Sequence, residues 1–202
     1  MFLKAKKNMS KIGLYFGTFN PIHIGHLIIA NHMVENSGLD EIWLVVTPHN
    51  PFKKKSSLLD NYQRIQLVHL ATEKYDKIKP SDIEFNLPQP NYTVHTLAHI
   101  SEKYPTHDFS LIMGEDNLKS FHKWKNYETI LDHHHIYVYP RVSEGTIETR
   151  FDKHPKIHKT DSPIIEISST HIRNGIKEQK NVAPMLSEAV WNYIDMMNFY
   201  RK

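Results

Sequence analysis

Residues 13–27 read GLYFGTFNPIHIGHL. The segment Ile12–Phe16 is short, apolar and partly aromatic, the composition of a buried strand. Gly17 and Pro21 then punctuate a turn, and His23 and His26 stand at an HxxH interval where helical spacing begins. In an open parallel sheet, ligands bind beyond the carboxyl ends of the strands, and Gly17–Pro21 lies just past the first of them. A glycine lets backbone come close to a phosphate, and the helix that follows offers unbonded N–H groups and the positive end of its dipole. His23 and His26 lie near one face of the first helical turn and can donate N–H bonds to phosphate oxygens without a permanent charge, with Gly25 leaving room beside them. Two histidines at a helix start, taken alone, read as exposed caps. The glycine turn behind a strand favours the phosphate role.

Outward from this stretch, apolar runs alternate with amphipathic ones, the pattern of an α/β open parallel sheet with helices on both faces. Strands are expected at Ile12–Phe16, Ile42–Thr47, Ile83–Phe85, Phe109–Met113, Ile136–Tyr139 and Ile164–Ile167. Helices are expected at Leu27–Glu35, Tyr62–Lys74, Val94–Tyr104, Tyr127–Asp132 and Pro184–Tyr200, with long polar loops at 48–57 and 140–162. The chain of 202 residues suits one core, so residues 11–202 are read as a single domain behind a disordered leader, residues 1–10, with Met9 an alternative start. A net charge of +3 falls short of the clustered excess that non-specific nucleic-acid binding needs. The sequence contains no cysteine, which excludes disulfides, thiolate metal sites and Cys nucleophiles and fits a cytoplasmic setting. No apolar segment behind the basic start is long enough for a signal peptide or membrane span.

A second motif lies near the other end. In ISSTHIR, residues 167–173, the hydroxyls of Ser168, Ser169 and Thr170 precede a short expected helix, and with its first amides they form an anion cradle. Arg173, one turn in, brings a bidentate fork to the same oxygens.

The GTFNPIHIGHL stretch resembles the GxFxPxHxGH signature of the nucleotidyltransferase superfamily, and ISSTHIR resembles the ISSTxIR signature that completes the same nucleotide site. Their order and spacing imply a Rossmann-like sheet of the nucleotidyltransferase type. More of the chain is similar to one branch, the nicotinate-nucleotide adenylyltransferases. TPHNPFKKK, residues 47–55, looks like that family's loop after the second strand, with Lys53 or Lys54 meeting a phosphate. NYTVHTL, residues 91–97, resembles its SYTxDTL, which places Tyr92 and Thr93 near the acceptor mononucleotide; His95 stands where the family usually has Asp and receives no role. IMGEDNLKSFHKWKNYETIL, residues 112–131, resembles its GxD–Trp–Leu block. Gly114 there permits close approach to a ribose or base, Asp116 can bind hydroxyls, and the Trp124 indole can stack on a pyridine ring. Arg141, in YPRVS, is a further acceptor contact.

The resemblance implies adenylyl transfer from ATP to nicotinate mononucleotide, giving nicotinate adenine dinucleotide and pyrophosphate in NAD biosynthesis. His23, His26 and Arg173 would be catalytic. Gly17, Thr18, Phe19, Gly25, Gly114, Asp116, Ser168, Ser169 and Thr170 would bind ATP, and Lys53, Lys54, Tyr92, Thr93, Trp124 and Arg141 the mononucleotide. Mg²⁺ would ride on the triphosphate, bound by substrate oxygens and water, with no metal site in the protein. The HHH run at 133–135 precedes a strand whose alternation points its middle ring away from the outer two, so it is not read as a metal site. The alternatives are pantetheine-phosphate adenylyltransferase, which carries the same two signatures, and a non-catalytic nucleotide sensor. No nucleic-acid or membrane partner is expected. Oligomeric state and the choice between nicotinate and nicotinamide mononucleotide stay open.

Overall fold

The strand β1 (Ser10–Gly17) buries Leu14 on one face and Tyr15 on the other, which requires packing on both sides of the sheet. In the computed structural model, which describes residues 9–48, 58–141 and 149–201, β1 sits at the centre of a six-stranded, all-parallel sheet. It is followed by α1 (Ile24–Asn36) and β2 (Glu41–Val46), then by α2 (Asn61–Thr72) and β3 (Ile78–Ser81) at one edge. Next, α3 (Thr93–Lys103) carries the chain back to β4 (His107–Gly114), which pairs with the other side of β1. The remaining elements are α4 (Glu115–Ser120), a 3-10 turn (Phe121–Lys123), α5 (Tyr127–His133), β5 (Ile136–Tyr139), β6 (Ile157–Lys159), α6 (Ser169–Lys177) and α7 (Glu188–Met196). The order β3-β2-β1-β4-β5-β6 reverses between β1 and β4, the switch point at which α/β sheets of this order bind ligands.

Two cores follow from strand alternation. Tyr15, Leu44, Ile112 and Tyr139 face a layer built on α1, α2, α6 and α7, through residues such as Met33, Leu67, Ile172 and Ile194. Leu14, Val45, Leu111 and Val138 face α3, α4 and α5, through Leu97, Leu118 and Ile130. The expected Rossmann-like sheet with helices on both faces is present. No helix among the described residues is long and apolar enough to cross a membrane.

Several elements depart from the sequence expectations. The third strand is Ile78–Ser81, not Ile83–Phe85. Residues 82–87 turn instead, with the Phe85 amide donating to the Asp82 carbonyl at 2.8 Å, while Ile83 packs into a core as if in a strand. Pro80 misleads here, but β3 is an edge strand in which a missing N–H can face away from the ladder. The last strand is Ile157–Lys159, inside the stretch expected as loop. Ile164–Ile167 forms no strand and contributes side chains, Ile165 against Gly25 and Ile167 against the core. The final helix is Glu188–Met196, preceded by a 3-10 turn at Ala183–Met185 rather than starting at Pro184. The three histidines of the HHH run disperse: His133 bonds to the Thr129 carbonyl, His134 to the Phe109 carbonyl and His135 to His158. Lys53 and Lys54 lie outside the described residues.

Candidate active site

Beyond Gly17 the chain passes through Thr18 and Phe19 and enters α1 with His23 at the N-cap. Phe19 adopts φ 44°, a conformation that costs a non-glycine residue free energy, and it is buried at 1% exposure. Its ring packs edge-on against His26 at 5.0 Å and Tyr15 at 6.0 Å, so this strained residue props the histidines from below. A Cβ on Gly17 would stand 2.9 Å from that ring; the glycine makes room for Phe19 as well as for any phosphate.

The imidazoles of His23 and His26 stack with centroids 3.7 Å apart. The His23 backbone N–H donates to His26 Nδ1 at 3.2 Å, which leaves the ring proton of a neutral His26 on Nε2. His23 is almost wholly buried, and its Nδ1 has no hydrogen-bond partner among the described residues. Burial, reinforced by the nearby Arg141 charge, pulls its pKa down to about 4, so the ring is neutral at physiological pH. Gly25 fits as expected: a Cβ there would meet Ile165 at 2.8 Å and His23 Nδ1 at 3.1 Å.

Arg141 lies at the histidine end of the site. Its Nη2 donates to the Tyr139 hydroxyl at 3.2 Å, and that oxygen is 3.1 Å from the buried Tyr15 hydroxyl. Asp116, in the first turn of α4, sits 3.8 Å from Arg141 Nε. Gly114 is the α4 N-cap, and a Cβ there would collide with the Asp116 carboxylate and approach both Arg141 and Tyr139.

The ISSTHIR segment packs directly onto the first motif. Ser168 caps α6, accepting from the His171 amide at 3.2 Å. Ser169 Oγ donates to the Pro21 carbonyl at 2.8 Å, and Arg173 Nη1 to the Asn20 carbonyl at 2.8 Å. Arg173 Nη2 also reaches Thr170 Oγ1 at 3.2 Å. All three hydroxyls and the guanidinium thus bind protein, and Ser169 and Arg173 staple α6 onto the loop that precedes the histidines.

Arg141, expected as an acceptor contact, thus stands with the histidines, while Tyr92, Thr93 and Trp124 belong to other segments. Tyr92 is the N-cap of α3, without a side-chain cap bond, so the first amides of that helix, starting at Thr93, are not used by a capping side chain. Lys125 places its ammonium 4.6 Å from the centre of the Tyr92 ring, and this joins the α3 N-terminus to the segment carrying Trp124. Trp124 is half-buried, edge-on to Phe121 at 5.4 Å.

A cytidylyltransferase-like family model matches residues 14–175. The probable nicotinate-nucleotide adenylyltransferases of Flavobacterium psychrophilum and Flavobacterium johnsoniae are each 69% identical over 192 residues, covering 95% of this chain and 100% of those proteins. This chain belongs to the nicotinate-nucleotide adenylyltransferase family. The fold agrees with that of Plasmodium falciparum nicotinic acid mononucleotide adenylyltransferase complexed with NaAD, at TM-score 0.80 and 21% identity, covering 95% of this chain and 97% of that one.

As a nicotinate-nucleotide adenylyltransferase family member, the chain carries site residues that sequence reasoning passed over. Tyr15 and Tyr139 underlie Arg141. Asn20, 3% exposed, accepts from the Leu59 amide at 3.2 Å and the Tyr200 hydroxyl at 2.8 Å, tying the first loop to the chain's end. Lys125 follows the expected Trp124. Arg64 alone had a sequence signal: in NYQRIQLVHL it lies one turn before Leu67 and Val68, on the apolar face of α2.

Proposed function

We propose that this chain transfers the adenylyl group of ATP to nicotinate mononucleotide. A phosphate oxygen of the mononucleotide attacks the α-phosphorus of ATP, the bond to the β-bridging oxygen breaks, and pyrophosphate leaves. No protein nucleophile is needed, so catalysis consists of positioning and of donors aimed at the charge on the phosphates. The observation that carries the reading is the stacked pair of histidines at the switch point, with the His26 proton directed to Nε2 by the His23 amide. His26 donates to phosphate oxygens from that atom. A neutral His23 and the Arg141 charge complete the donor set beside it. Thr170 and Arg173 would serve the leaving pyrophosphate, with the Arg173 guanidinium beside the loop that it holds.

On the acceptor side, the Trp124 indole offers a face for the pyridine ring. The α3 amides and Lys125 favour a ring carboxylate over an amide, since both put positive charge beside it. Lys53 and Lys54 remain candidates for the acceptor phosphate. Among the described residues, no three His, Asp or Glu side chains gather as a metal cage; beside Arg141 stand Asp116, 3.8 Å from its Nε, and Glu115, whose carboxylate accepts from the Arg141 amide at 3.4 Å. That donor set fits Mg²⁺ arriving on the triphosphate, where it would neutralise phosphate charge while the protein contacts the complex through Asp116 or water. Substrates that are small soluble nucleotides and a chain without cysteine support a cytoplasmic setting, with no nucleic-acid partner.

The test is a pyrophosphate-release assay with ATP and, in turn, nicotinate mononucleotide, nicotinamide mononucleotide and phosphopantetheine. Nicotinate mononucleotide should give the highest kcat/KM. Preference for phosphopantetheine would move the chain to another branch, and ATP binding without turnover on any acceptor would make it a sensor.

A further inference from the structure

Arg64 is fully buried, at 0% exposure, and every one of its five guanidinium N–H groups is engaged. Nε donates to the Leu59 carbonyl at 3.0 Å. Nη1 donates to the carbonyls of Thr18 at 2.6 Å and Thr47 at 2.9 Å. Nη2 donates to the Pro48 carbonyl at 3.2 Å and to Asn61 Oδ1 at 2.6 Å. All five acceptors are uncharged. No ion pair among the described residues includes Arg64, and the 49–57 stretch contains no acidic residue. Burial lowers its pKa to about 10, which still leaves it charged at neutral pH.

Among the described residues only Asp60, at the α2 N-cap and beyond ion-pair distance, attracts this cation as a carboxylate. A buried cation held so is costly, and an apolar side chain would fill the same place more cheaply if packing were its only task. Its acceptors explain the arrangement. Thr18 belongs to the loop after β1, which leads into the histidines. Thr47 and Pro48 directly follow β2. One planar fork therefore holds the exits of two adjacent strands, the first of which serves the ATP phosphates on the function proposed above. The carbonyl dipoles spread the charge but do not cancel it.

We propose that Arg64 is the positioning residue that fixes the phosphate loop after β1 against the exit of β2, and that its positive charge behind that loop favours the incoming anions. Lysine retains the charge but has only three donors on one atom, so Arg64→Lys cannot hold both strand exits. Arg64→Met keeps the apolar stem and removes the charge.

Three measurements test this on the full chain: thermal melting, calorimetric binding of ATP and of adenosine, and steady-state turnover. For Arg64→Lys the expected result is a folded protein with kcat lowered about tenfold or more, raised KM for both substrates, and adenosine affinity within about twofold of wild type, because the adenine and ribose contacts do not depend on the fork. ATP affinity should fall about fivefold in Arg64→Lys and further in Arg64→Met, because only the phosphates sense the lost charge and loop geometry. Equal losses for ATP and adenosine, or lowered melting with wild-type ATP affinity and kcat, would show a merely structural arginine and overturn the proposal. Should Arg64→Met not fold, the ATP-to-adenosine ratio in Arg64→Lys decides. That ratio needs no acceptor, so it is read even if wild-type protein makes no dinucleotide, the outcome that sinks the function rather than Arg64's role.

Discussion

Asn20 and Trp124 stand on opposite sides of the switch point and are held in opposite ways. Asn20 is buried, with its side-chain oxygen accepting from Leu59 and Tyr200 and its carbonyl from Arg173. Trp124 is half-buried at the margin of the core that contains Phe121, and its neighbour Lys125 meets Tyr92 through a cation–π contact. The side proposed for ATP is built from buried hydrogen bonds between segments far apart in the chain. The side proposed for the acceptor is built from surfaces. On the function proposed above, the difference follows from what each side would bind: donors to developing phosphate charge act through fixed geometry, whereas a planar ring needs a face to stack on.

The largest expected effect lies on the rigid side. His26→Ala should lower kcat by about a hundredfold or more, the size typical of losing a donor to developing charge, with the fold intact by circular dichroism. A folded variant with near-normal kcat would show that the stacked histidines are not the phosphate donors, and the contrast between the two sides would lose its basis.

His23 tests the same side through stability. Its folded pKa of about 4 lies below the 6.5 of an unfolded histidine, so the unfolded chain takes up the proton first as pH falls. The contribution of neutral His23 is complete above pH 6.5 and is lost progressively as pH falls towards about 4, a change of about 3 kcal/mol over that window. Urea unfolding of wild type and His23→Asn at pH 7 and pH 4.5 should show a smaller acid loss in the variant, with other histidines cancelling in the comparison. Equal acid losses would mean that this ring is not buried neutral.

On the acceptor side the effects should be smaller and selective. Trp124→Ala should raise KM for nicotinate mononucleotide about tenfold, as loss of one aromatic stack does, while ATP affinity stays within about twofold. Loss of ATP affinity, or failure to fold, would make Trp124 a core residue. Smallest of all, Lys125→Ala should raise that KM only about two- to fivefold, because an exposed cation–π contact is worth on the order of 0.5–1 kcal/mol, and the effect should shrink at high salt. A Lys125 effect larger than that of Trp124 would reverse the assignment of the ring platform.

The parts of the fold legible in the sequence were those with strong local periodicity. β1, β2, β4 and β5 and the helices α1, α2, α3 and α5 lie within a few residues of expectation, whereas the short α4 directly after β4 was not expected. The third and last strands were not legible, because Ile83 and Phe85 supply apolar side chains from a turn, while β3 contains Pro80 and β6 only one buried residue. Ladder pairing, which defines those two strands, has no local sequence signature when the strand is short and lies at an edge.

For the site, sequence alone determined the strand, glycine turn and histidine pair of residues 13–27 and the hydroxyl-rich cap at 168–170. These are local devices whose chemistry depends on neighbours within one turn. Only the tertiary structure decided that Ser169 and Arg173 grip Pro21 and Asn20, that Tyr139 supports Arg141 beside His23, and that Arg64 joins the ends of two strands. The partners of a buried polar group are whichever carbonyls and hydroxyls the sheet brings to it, and that depends on strand order, which no short stretch of residues contains.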